Sequence, residues 1–136
     1  MKRVMIIFLL IIITGCQGNP EPVVLNPISL SEAYPGNITE VDKIELLDGS
    51  SGERKVIENQ VVIEQWISKI KNIELIPDDN QEGRVGFVFG ISLYEGDELK
   101  LGFIPNQINN IYYKSNNEFF GLIRELFEEQ FGKEFK

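Results

Sequence analysis

Two hydrophobic rhythms run along this chain, one of period two and one near 3.6, and together they predict its elements. Val41 to Leu47 alternates, with Ile44 and Leu46 on one face and Lys43 and Glu45 on the other. Asp48-Gly49-Ser50-Ser51-Gly52 supplies turn chemistry. Glu53 to Glu58 returns as the second strand of a hairpin. Asn59 suits a helix cap. Behind it Ile63, Trp66, Ile67 and Ile70 form one apolar stripe, with Glu64, Gln65, Ser68, Lys69 and Lys71 on the wet side. This helix is expected to end near Ile73, ahead of the breakers Pro77-Asp78-Asp79-Asn80.

The strongest strand pattern covers Gly83 to Tyr94, where Val85, Phe87, Phe89, Ile91 and Leu93 share one parity. Glu95-Gly96-Asp97 makes a hairpin turn, and Leu99, Leu101 and Phe103 repeat the alternation until Pro105-Asn106. Ile108 to Lys114 reads as a last strand. Ser115-Asn116-Asn117-Glu118 has the form of a capping box with Ser115 at the cap. The helix behind it gathers Phe119, Phe120, Ile123, Leu126, Phe127 and Phe131 on one face and stops at Gly132. The order is ββαβββα. It predicts an α+β fold, a two-layer sandwich in which two helices cover one face of a mainly antiparallel sheet of about five strands.

The first sixteen residues carry a different signal. Lys2 and Arg3 precede an unbroken apolar run, Val4 to Ile13, and Ile13-Thr14-Gly15-Cys16 follows directly. Ten apolar residues fall well short of the roughly 20 needed to span a bilayer core, and suit the centre of a signal peptide. The pattern resembles the bacterial lipoprotein signal, with Ile13 standing where Leu is usual. The resemblance implies cleavage between Gly15 and Cys16, thioether lipidation of Cys16, and attachment to the extracytoplasmic face of the cell membrane by two or three acyl chains, which hold where one holds only marginally. The competing reading is an uncleaved apolar anchor. Gln17 to Asn37 carries Gly18, Pro20, Pro22, Pro27, Pro35 and Gly36 without any period and reads as a tether. The expected division is signal 1–15, lipidated Cys16 and tether 16–38, and one α+β domain 39–136. Asn37-Ile38-Thr39 fits the N-glycosylation pattern, a coincidence in a chain of this kind.

Charge narrows the choice of partners. The chain holds 13 basic and 21 acidic residues, a net charge of −8. Losing Lys2 and Arg3 with the signal leaves 11 basic against 21 acidic residues, a net charge of −10. Such a chain repels nucleic acid and anionic headgroups, so no nucleic-acid partner is expected. Histidine is absent, which removes the usual general base and the commonest metal ligand. Cys16 is the sole cysteine, so the domain has no internal disulfide to lean on.

The remaining motifs read as structure. Asp78, Asn80, Glu82 and Gly83 match the start of a calcium loop, but position twelve, where a bidentate carboxylate belongs, is Phe89. Gly49-Ser50-Ser51-Gly52 is a hairpin tip, lacking both the elbow spacing and a histidine partner. Glu125, Glu128 and Glu129 lie along one helix as a solvated face, without the opposed geometry of a glycosidase pair. No catalytic residue, metal site or cofactor is expected.

The feature that bears on function is the sheet face left without helices. One strand presents Gly86, Val88, Gly90, Ser92 and Tyr94 on that side, and the next presents Lys100, Gly102 and Ile104. Interior strand glycines mark bends or close backbone approach. Val88, Tyr94, Lys100 and Ile104 are therefore the candidate partner-face residues; the plainer reading is an ordinary solvated face. Ile13-Thr14-Gly15-Cys16, the strand opening Asp42-Lys43-Ile44, the Asp48-Gly49 turn and the Ile91-Ser92-Leu93-Tyr94 strand together resemble small lipoproteins of Bacilli, of the YhfM-like kind. That resemblance implies a membrane-anchored α+β domain and brings no catalytic residues with it. The function expected is a lipid-anchored, non-enzymatic interaction module for an envelope protein or peptide, with a small-ligand sensor or carrier binding between sheet and helices as the alternative.

Overall fold

The computed structural model describes Gly15, Gly18 and residues 24–136. The apolar run and Cys16 lie outside the described residues. Six strands form one antiparallel sheet: β1 (Lys43–Asp48), β2 (Arg54–Ile57), β3 (Phe89–Glu95), β4 (Glu98–Ile104), β5 (Gln107–Ile108) and β6 (Ile111–Tyr112). Their order is β2-β1-β3-β4-β5-β6. A short helix α1 (Leu30–Ala33) precedes the sheet, and α2 (Gln60–Ile70) and α3 (Asn117–Phe131) pack on it. The fold is the expected α+β sandwich with an open sheet.

Register explains why a single face is buried. Ile44 pairs with Leu93 and Leu46 with Ile91, while Leu93 pairs with Leu101 and Ile91 with Phe103. Directly opposed residues share a face, so these six side chains form one apolar surface, and all are buried. The stripe of α2 (Ile63, Trp66, Ile67, Ile70) and that of α3 (Phe119, Ile123, Leu126, Phe127) close over it. The indole Nε1–H of Trp66 donates to the Leu122 carbonyl at 3.1 Å, tying α2 to α3. Phe89 sits among rings, 4.6 Å from Phe127 and 5.3 Å from Phe135 between centroids.

Five expectations are corrected. The stretch read as tether joins the core from Ile28, which bridges to Leu75 in antiparallel fashion. Leu30, Tyr34 and Ile38 are 0, 3 and 2 % exposed. A capping box of Ser29 and Glu32 holds α1, and Asn37 caps a single 3-10 turn, Ile38–Glu40. Secondly, β3 begins only at Phe89. Gly86 has φ +86°, which breaks the extended run, so Val85 is fully exposed and Phe87 and Val88 are partly so.

Thirdly, Leu99 is exposed. The register slips between Leu93 and Tyr94, leaving Lys100 as the extra residue of β4 and setting Leu99 opposite Tyr94 on the open face. Fourthly, the last strand is a hairpin, β5–β6, folded at Asn109 and Asn110, whose φ values of +51° and +64° suit the two-residue turn that matches strand twist. Finally, the cap of α3 is Asn116 rather than Ser115; its side-chain oxygen accepts from Phe119 N at 2.9 Å. Gly132 ends that helix in the left-handed conformation, as expected.

One sheet edge is closed by a side chain. Gln81 accepts from Tyr112 N at 2.9 Å and donates to Tyr112 O at 2.8 Å, taking the place of a neighbouring strand along β6. Arg84 stacks over the Tyr112 ring at 4.5 Å and pairs with Asp78 at 2.8 Å. Asp78, which opens the stretch that partly matches a calcium loop, is thus engaged by a guanidinium, which holds its pKa below the usual carboxylate range. Among the described residues, no group of three or more His, Cys, Asp or Glu is placed to hold a metal ion.

Candidate functional site

The sheet face opposite the helices is built in rows. Arg54, Leu47 and Gly90 align across β2, β1 and β3. Val56, Glu45, Ser92 and Gly102 form the next row, and Lys43, Tyr94 and Leu99 the one after. Two of these positions are glycine, on adjacent strands near the middle of the sheet. A depression of about 470 Å3 lies over this part of the sheet, with the open space above Gly102 as part of its floor. Leu47, Ile104 and Phe87 give it apolar walls, Ser92 a hydroxyl, and Gln107, Asn109 and Asn110 a rim of amides. Arg54 stands at one end and pairs with Glu45 of the neighbouring row.

The two glycines have different roles. A Cβ on Gly102 would meet only the Ser92 hydroxyl at 3.9 Å and the Ile91 carbonyl at 4.0 Å, so the space above it is open. A Cβ on Gly90 would press on Phe87 Cε2 at 3.1 Å and Leu47 Cβ at 3.3 Å. The Phe87 ring therefore lies against the backbone at Gly90, on the face opposite the core. Gly49 sets that position: its N–H donates to the Val88 carbonyl at 2.8 Å, and a Cβ there would stand 2.0 Å from the Phe87 carbonyl oxygen. Only glycine allows the β1–β2 turn to approach residues 87 and 88 so closely.

That turn is fixed from beneath by Asp48. Its carboxylate is buried and accepts from Lys133 Nζ at 2.7 Å, Ser50 N at 2.9 Å and the Ser51 hydroxyl at 2.9 Å. The Lys133 bond, joined by those of Ser50 and Ser51, outweighs burial and draws the pKa down to about 2. The segment after α3 is thereby clamped to the turn that places Phe87.

Of the four residues singled out from the sequence, Ile104 lines this groove. Tyr94 lies two rows away, with the Lys43 ammonium 4.6 Å from its ring centre. Lys100 is the bulge residue and pairs with Glu98 at 3.7 Å. Val88 precedes β3 and lines a separate cavity at the end of the sheet. The four do not form one cluster. Phe87, Leu47 and the 107–110 hairpin were missed as groove residues; the Asn109-Asn110 dipeptide was the one local cue to that rim. Cys16 lies outside the described residues; among the described residues no helix is long and apolar enough to cross a membrane. The groove combines apolar walls with the Ser92 hydroxyl, the amides of Gln107, Asn109 and Asn110, and the guanidinium of Arg54 at one end.

Comparison of the chain with family models, with curated proteins and with solved structures gives no match.

Proposed function

We propose that the chain is a lipid-anchored, extracytoplasmic, non-catalytic interaction module that holds an extended peptide segment of an envelope protein in the glycine-floored groove of its open sheet face. The observation that supports this reading most is Gly102: a strand-interior glycine over open space, weakening the sheet with no packing need of its own. Leu47, Phe87 and Ile104 offer side-chain pockets, and the amides of Gln107 and Asn110 offer bonds to a peptide backbone. The acidic balance of the chain favours a neutral or basic partner. The lipidated Cys16 in this reading keeps the groove near the membrane. Residues 17–27 lie between it and the first core contact at Ile28, and a fully extended span of that length reaches at most about 40 Å.

The test is a crosslinked pull-down from intact cells with the full-length tagged chain beside a Gly102→Val variant. Valine suits a strand and fills the groove where the structure has room. A protein recovered with the wild type and lost with the variant is the expected result. Equal recovery with both would overturn the groove as the binding surface.

A further inference from the structure

A second cavity, of about 430 Å3, opens at the end of the sheet on the other side of Phe87. Exposed apolar side chains gather there. Phe87, Val88 and Phe120 are each about two-fifths exposed, and all three line it. Phe89 forms its inner wall in edge-on contact with Phe120 (5.5 Å between centroids) and Phe135 (5.3 Å). The side-chain charge of the lining runs against that of the chain: the Arg124 guanidinium belongs to it and no Asp or Glu does, although the chain has 21 acidic residues. Arg124 has no ion pair among the described residues. Its guanidinium stands 6.0 Å from the Phe120 ring centre. Asn106, Ser115 and Asn117 also line it.

We propose that this cavity binds a small carboxylic acid carrying an aromatic ring, with the ring among Phe87, Phe89 and Phe120 and the carboxylate on Arg124. Rings prefer edge-to-face partners at 4.5–7 Å, and Phe89 already shows that geometry with its neighbours. A planar guanidinium takes a carboxylate through two parallel hydrogen bonds, and that of Arg124 is exposed and engaged in no ion pair among the described residues. The volume lies within the range of small-molecule sites. This site is separate from the peptide groove, and either can stand without the other.

The test measures binding of 3-phenylpropanoate to the full-length chain in lipid nanodiscs, by calorimetry and by saturation-transfer NMR. The uncharged 3-phenylpropanamide serves as control. The acid is expected to bind in the millimolar range or tighter, and the amide about tenfold or more weakly, the loss of one charge-assisted contact. Arg124→Gln is expected to bring the acid down to the affinity of the amide, while Phe120→Ala weakens both. Trp66 fluorescence reports that each variant remains folded. Equal affinity for acid and amide, an unchanged affinity in folded Arg124→Gln, or no binding of the acid in the millimolar range would each overturn the proposal.

Discussion

Replacing Lys133 with Met removes the cation on the buried Asp48 carboxylate and keeps an apolar side chain near Phe131 and Phe135, whose ring centres lie 5.7 and 5.0 Å from Nζ. The carboxyl group falls from its ordinary 3.8 to about 2 in the fold, and each unit is worth about 1.4 kcal/mol, so the interactions of its charged form amount to roughly 2 kcal/mol. Ser50 and Ser51 supply part of that, and the Lys133 side chain is 46 % exposed, so water screens the ion pair. The loss expected for Lys133→Met is therefore about 1–2 kcal/mol at pH 7. With a typical urea dependence for a domain of this size, the midpoint should fall by roughly 0.5–1.5 M. Because the folded pKa is depressed, the stabilisation is complete above the unfolded value near 3.8 and fades as pH falls through about 2. Urea titrations followed by the fluorescence of the single Trp66 should show a wide gap between wild type and variant at pH 7 that closes toward pH 2. Equal midpoints at pH 7, or a gap that persists unchanged at pH 2, would refute the ion pair as the cause.

Three further outcomes are expected. Gly102→Val should leave stability within about 0.5 kcal/mol of wild type, whereas Gly90→Ala should cost about 1–3 kcal/mol by displacing Phe87, as read by the same urea titrations. Gln81→Ala leaves the Tyr112 amide without its side-chain acceptor and should cost about 1–2 kcal/mol, with faster hydrogen exchange at that amide. Tyr34 is buried and donates to Glu95 at 2.8 Å, and both effects raise its pKa above the ordinary 10.0. A raised value favours the fold below pH 10 and withdraws that support as pH climbs above it, so wild type should lose stability there faster than Tyr34→Phe.

Elements set by local periodicity were legible in the chain: β1 and β2 around their turn, the stripe of α2, and the long face of α3. What escaped notice depended on single backbone angles or on distant contacts. Leu30, Tyr34 and Ile38 are core residues spaced four apart, but Pro35 and Gly36 break any helix that would carry all three, so the spacing did not read as an element. Parity continued through Gly86 and carried Phe87 to the wrong side, because a positive φ leaves no mark on the alternation. The bulge at Lys100 reversed Leu99 for the same reason. The open face itself followed from alternation once both helices were assigned to one side. Its groove did not, since it is made by a ring from outside the strand, resting on Gly90 and held there by a turn some forty residues earlier in the chain.

The most direct measurement places a photoreactive amino acid at Ile104, in the groove, and in a second strain at Gln65, on the exposed side of α2. Both full-length chains are irradiated in living cells. The account predicts a discrete crosslinked adduct from position 104, absent from position 65 and suppressed when Gly102→Val is added. Adducts of equal yield from both positions, or an adduct from position 104 that survives Gly102→Val, would contradict it.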